Sequence, residues 1–167
     1  LLPKYRGASP IQSALLNNDD LTGISVMEMT EGLDEGPVFI FHELKILHSD
    51  NRKSLEQKLT SLCTENIEND LSNIFEDKLV PLNQNEGNAS YCKKIDKLSG
   101  KISFEDEKTD TILRKYKAYF GWPGLYFEKN NLMIKIHGII VDSENNRTLK
   151  DGNYIFNNSG LNVKTLD

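Results

Sequence analysis

The sequence predicts an α/β unit followed by a smaller β-rich unit, and three observations carry that reading. Two apolar runs, Gly23 to Met29 and Val38 to Leu47, have the Val, Ile, Phe and Met content of buried strands. Beyond them, Leu55, Leu59, Leu62, Cys63, Ile67, Leu71, Ile74 and Phe75 recur at spacings of three and four, the stripe that a helix lays on a sheet. Past residue 90, several short apolar segments alternate with Asn and Gly turns, a layout that predicts a small barrel.

In order, Leu1 to Ser9 contains Pro3 and Gly7 and reads as a loop. Pro10 suits the first turn of a helix, where its missing N–H leaves nothing unpaired. Ile11, Ala14 and Leu15 give that helix one apolar face, and Asn17-Asn18-Asp19-Asp20 ends it. The two strands follow, the second with an alternating polar tail at His42, Glu43 and Lys45. Ser49 or Asp50 is the expected N-cap of the long helix. A break is expected near Glu65 to Asn69, since Asn is a poor helix former. Pro81 to Ser90 has no hydrophobic period and reads as a linker. The resulting division is 1–82, a linker at 83–90, and 91–167.

In the second unit, Tyr91 to Lys94 and Ile102 to Phe104 read as short strands and Asp106 to Phe120 as a helix. Gly121-Trp122-Pro123-Gly124 stops it. Leu125 to Phe127, Leu132 to Val141, Tyr154 to Phe156 and Leu161 to Val163 read as strands. Asn130-Asn131 and Asn157-Asn158-Ser159-Gly160 turn the chain between them.

With 167 residues, 38% hydrophobic and 27% charged, the composition is that of a soluble globular protein. No apolar run reaches the roughly 18 residues of a membrane helix. Cys63 and Cys92 lie outside any metal-ligand spacing, and no disulfide is expected. Cys63 falls on the apolar face of the long helix. Residues 1–86 hold 7 Lys and Arg against 15 Asp and Glu, whereas residues 87–167 hold 13 against 10. That change of sign points to two units with different partners and excludes an overall basic nucleic-acid binder.

Met29-Thr30-Glu31-Gly32-Leu33-Asp34-Glu35-Gly36-Pro37 is the stretch with most chemical promise. Its glycines and proline force a turn between the two strands, which holds Asp34 at a strand end, where open α/β sheets gather their chemistry. The alternative is a plain connection with Asp34 solvated or bonded to its own backbone. Glu31 and Glu35 are expected to face solvent, and Arg6 to brace its loop by bonding carbonyls. His42, His48 and His137 lack a second ligand at useful spacing, so structural roles are expected and no metal is. Lys93, Lys94, Lys97, Lys101, Arg114, Lys115 and Lys117 could form a phosphate-facing patch or a solvated face.

Leu1-Leu2-Pro3-Lys4-Tyr5-Arg6-Gly7-Ala8-Ser9-Pro10-Ile11, then Thr22-Gly23-Ile24, then Gly32-Leu33-Asp34-Glu35-Gly36 resemble, in that order, the folate-dependent formyltransferases, most closely those that formylate methionyl-tRNA. The resemblance implies that the first unit is the C-terminal part of a Rossmann-like formyltransferase domain and the second an OB-like barrel, incomplete at its end. It implies transfer of a formyl group from 10-formyltetrahydrofolate to initiator methionyl-tRNA, without a metal, by a monomer in the bacterial cytoplasm. It assigns Asp34 as catalytic, and Leu1, Leu2, Pro3, Gly32 and Leu33 to the folate. An Asn-x-His-x-Ser stretch precedes Leu-Leu-Pro in the family and is not in this sequence, so residues 1–167 alone are expected to be inactive. A formyltransferase for an amino-sugar nucleotide and a degenerate RNA-binding relative are the alternatives.

Overall fold

The computed structural model describes residues 1–141, 154–157 and 160–165. They fall into two compact units, Leu1–Ile95 and Asp96–Asp167. The division comes later than the sequence expectation because residues 83–95 are bonded into the first unit.

In the first unit, β1 (Arg6–Gly7) leads into α1 (Pro10–Leu16), which starts on its proline as expected. β2 (Leu21–Met27) and β3 (Val38–Lys45) pair antiparallel from Leu21↔Lys45 to Val26↔Ile40, with an irregularity before Met27↔Val38. Glu28 N–H donates to the Pro37 carbonyl at 2.9 Å and closes the loop carrying Asp34. α2 (Arg52–Phe75) packs on α1, β2 and β3. Ala14, Leu15, Val38 and Leu55 form the buried apolar core, while Cys63 is only half-buried. After α2 the chain returns to the sheet, where Val38 and Leu82 exchange both backbone hydrogen bonds at 2.9 Å. β4 (Tyr91–Cys92) then pairs parallel with β1. Tyr91 and Cys92 therefore finish the first unit instead of opening the second.

Two expectations for α2 need correction. Its N-cap is Asn51, whose side chain accepts from the Lys53 and Ser54 amides while Ser54 Oγ accepts from the Asn51 amide. Asp50, one residue earlier and 3% exposed, instead accepts from the Leu47 amide, the Ser54 hydroxyl and Lys58 Nζ. The helix also runs unbroken through 65–69. Tertiary contact overrides local propensity there: Asp70, 2% exposed, meets His42 Nε2 of β3 at 2.7 Å and ties the second half of α2 to the sheet.

The second unit contains α3 (Thr109–Ala118) and the hairpin of β5 (Leu125–Lys129) with β6 (Leu132–Ile136). A second hairpin joins β7 (Tyr154–Asn157) to β8 (Gly160–Val163). Asn130 and Asn131 both take left-handed φ values, 48° and 62°, as the tight hairpin turn demands. The other expected turn, at 157–160, lies partly outside the described residues. Ile102, Ile112, Ala118, Tyr119, Leu125, Tyr126 and Phe127 are buried, and Phe104 meets Phe127 edge-on at 5.1 Å. Ile102 donates to the Tyr126 carbonyl, but 102–104 forms only a bridge and no strand. Among the described residues the hairpins remain separate two-stranded sheets, so the expected OB-like barrel is not seen there. Nor is any helix among them long and apolar enough to cross a membrane.

Burial pushes the Asp50 carboxyl up, but the Lys58 ammonium, the Leu47 amide and the Ser54 hydroxyl outweigh it and hold it below its ordinary range. Asp50→Asn is expected to destabilise the first unit by about 1–3 kcal/mol at pH 7, read from its urea midpoint. The unfolded carboxyl titrates at about 3.9, so this contribution is complete above that pH and vanishes as pH falls through the lower folded value. The two chains should therefore converge in acid, and equal midpoints at neutral pH would refute the assignment. His42→Ala leaves the buried Asp70 carboxylate stranded. It should cost at least ~1 kcal/mol more than His42→Ala combined with Asp70→Leu, as measured by a double-mutant cycle.

Candidate active site

The site is assembled from the chain's opening segment, the loop between β2 and β3, and the segment running into β4. Lys4 N–H donates to the Leu1 carbonyl, and Tyr5 turns the chain at φ 61°. Tyr5 N–H donates to Ser90 Oγ and Arg6 N–H to the Ser90 carbonyl, while Ser90 N–H returns to the Pro3 carbonyl. Burial and the bond to Asp19 push the Tyr5 phenol up to about 12, so it stays a neutral donor. Cys92 Sγ donates toward the Tyr5 carbonyl at 3.1 Å and receives the Ser9 amide at 3.2 Å. Gly7, at φ 115°, has no room for a side chain, since a Cβ there would sit 2.7 Å from the Cys92 carbonyl oxygen.

Arg6 has no exposed surface. Its guanidinium bonds side chains and not the backbone carbonyls of its loop. Its Nε and Nη2 donate to Gln84 Oε1 at 3.2 and 3.0 Å. Nη1 and Nη2 straddle the Glu86 carboxylate at 2.9 and 2.7 Å, and Nη1 also reaches Tyr91 Oη at 3.1 Å. The guanidinium is also 5.7 Å from the Tyr91 ring centroid. These hydrogen bonds hold the Glu86 carboxyl below the usual range and raise Arg6 further into its charged form.

Asp34 sits at φ 54°, a left-handed conformation that Asp tolerates better than most residues. Its flanking glycines are not the residues with positive φ. Gly36 is needed for close approach, because a Cβ there would fall 1.8 Å from the Glu28 carbonyl oxygen. The Asp34 carboxylate is neither solvated at both oxygens nor bonded to its own backbone. Oδ2 accepts the Gly7 amide at 2.7 Å, which ties the loop to the opening segment. Gln84 Nε2 donates to the Asp34 and Gly36 carbonyls at 2.8 Å each. Tyr91 Oη donates to Glu35 Oε1 at 2.8 Å, so Glu35 is engaged as well as solvent-facing. A carboxylate anchored through one oxygen can orient an imidazole or accept a proton through the other.

The other predicted site residues lie on the opening segment and on the loop that carries Asp34. Leu1, Leu2 and Pro3 are half-buried at the start of the same segment. Gly32 is exposed to no more than an intermediate degree where the loop turns, and Leu33 is 58% exposed with a methyl carbon lying over Gly7. Gln84, Glu86 and Tyr91 were not foreseen. The available signal was the demand of a loop arginine for acceptors, set against a stretch rich in Gln, Asn and Glu. Of the expected cationic patch, Lys101 pairs with Glu128 at 2.6 Å and Lys115 with Glu107, so both have partners within the second unit. Among the described residues no group of three or more His, Cys, Asp or Glu is arranged to hold a metal ion.

Residues 1–68 match the family model for formyl transferase, and residues 94–167 that for the formyl transferase C-terminal domain. A methionyl-tRNA formyltransferase of a Nitratiruptor species is 46% identical over 135 residues, 81% of this chain and 43% of that protein. HypX from Aquifex aeolicus in complex with tetrahydrofolic acid superposes with a TM-score of 0.74 at 19% identity, covering 98% of this chain and 28% of that one. Methionyl-tRNA formyltransferase from Clostridium thermocellum does so with a TM-score of 0.61 at 19% identity, covering 98% of this chain and 63% of that one. Both structures share the fold. The chain spans about half the length of the curated relatives it matches. Two matched domains in family order, together with this level of identity, place the chain in the formyl transferase family.

Proposed function

We propose that the protein carrying this chain transfers a formyl group from 10-formyltetrahydrofolate to the amino group of initiator methionyl-tRNA. The observation that carries the reading is the Asp34 carboxylate, held on the Gly7 amide of the segment that opens with Leu1, Leu2 and Pro3. The named relatives support the choice of acceptor. In this reading the protein acts as a monomer in the bacterial cytoplasm, and the second unit belongs to an OB-like barrel that holds the tRNA.

The residues present suit a folate. Half-buried Leu1, Leu2 and Pro3 with part-exposed Leu33 offer apolar surface for a flat ring, and the backbone at Gly32 and Leu33 offers polar groups to its edge. The donor supplies the formyl carbon that the neutral amine attacks. As the new N–C bond forms, the amine nitrogen sheds a proton, the bond between the formyl carbon and the donor's nitrogen breaks, and that nitrogen leaves as tetrahydrofolate carrying a proton; in this reading Asp34 takes part in the proton transfer through water or an intervening imidazole. The Gly7 bond occupies one carboxylate oxygen, and in this reading the other serves that transfer.

In the full-length protein, Asp34→Asn keeps the left-handed backbone and removes the charge. It is expected to lower kcat/KM for methionyl-tRNA formylation by about 10²–10⁴-fold, measured with labelled 10-formyltetrahydrofolate. Unchanged turnover would exclude Asp34 from the reaction. Faster formylation of an amino-sugar nucleotide than of methionyl-tRNA would replace the acceptor.

A further inference from the structure

We infer that Gln84 is a positioning residue for Asp34, an assignment that rests on the formyl-transfer reading above. Its side chain bridges two partners of opposite kind. Arg6 can only donate, so the side-chain oxygen of Gln84 must face the guanidinium. The NH2 group is thereby aimed the other way, where it meets the Asp34 and Gly36 carbonyls at 2.8 Å each. Both of its protons are used, on the two carbonyls flanking Glu35. The buried cation thus sets the direction of the amide, and the amide sets the backbone that presents the carboxylate. Gly7 N–H meets Asp34 Oδ2 only while that backbone stays in place. Nothing about Gln84 requires it to touch a substrate.

Glutamate at this position has the same shape and the opposite effect. A carboxylate would still pair with Arg6, but its second oxygen would face two carbonyl oxygens with no proton between them. Gln84→Glu should keep the Arg6 contact and release the loop that holds Asp34. In the full-length protein, kcat for methionyl-tRNA formylation should fall about ten- to a hundredfold, with KM for both substrates nearly unchanged. Independently of turnover, the Gly7 amide proton should exchange with solvent roughly tenfold faster, as read by NMR.

Should Gln84→Glu not fold, Gln84→Met removes both dipoles without introducing charge and should show the same changes at smaller amplitude. A folded variant with unchanged kcat, or with unchanged Gly7 exchange, overturns the assignment. So does a loss confined to KM, which would make Gln84 a substrate contact. If the unsubstituted protein does not formylate methionyl-tRNA, the proposed function fails, while the exchange rate at Gly7 still decides whether Gln84 holds Asp34.

Discussion

A guanidinium shut away from water must be satisfied at every N–H, and in this chain that requirement falls on Arg6. The group has five N–H donors, and five hydrogen bonds leave it, all to Gln84, Glu86 and Tyr91. No bond to its own loop is among them. Residues 84–91 therefore have to return across the first unit after α2. Once they do, β4 falls into parallel register with β1, Ser90 locks to Pro3, Tyr5 and Arg6, and Tyr91 reaches Glu35. An uncompensated buried charge is expensive enough that partial engagement is not a stable option. The geometry around Asp34 is thus set by an ion 78 to 85 residues away in sequence from the groups that satisfy it.

The two units are held together by different physics. In the first, the buried apolar set is small and charged groups sit among it: Arg6, Asp50 and Asp70 are each 3% exposed or less. Each has a specific partner: Arg6 ties β1 to Glu86 of the returning segment, Asp50 holds Lys58 at the start of α2, and Asp70 joins α2 to His42 of β3. In the second, α3 and β5 bury a mostly apolar and aromatic set, with Phe104 on Phe127 and Tyr116 on Phe120 packed edge-on. Such a core tolerates repacking. A unit built on paired charges does so less readily, because each pair has one suitable geometry.

How much was legible follows from the same contrast. Apolar runs and hydrophobic period revealed β2, β3, α1, α2, α3 and β5, because each buries or half-buries enough apolar side chains to write its burial into the sequence. The Pro10 start and the Asn130-Asn131 turn were readable from backbone chemistry. The N-cap was misplaced by one or two residues because Ser49, Asp50 and Asn51 are all plausible caps, and Lys58 one turn beyond Ser54 is what draws Asp50 elsewhere. The return of 83–92 could not be read from period at all. Its contacts are polar, its longest strand has two residues, and its partners lie near the chain's start. Asp34 stood out in the sequence; what holds it in place did not.

Gly7 carries a lesson for reading sequence variation in such proteins. It contributes a backbone proton to Asp34 and a gap in which the Cys92 carbonyl lies, and it has no functional group of its own. Any side chain there would wedge β1 from β4 and tilt the loop above it. A saturation scan scored on activity would rank this position beside Asp34, although no atom of a side chain is involved. Sensitivity to substitution maps steric clearance as faithfully as it maps chemistry, and a glycine facing an acid can mimic a catalyst.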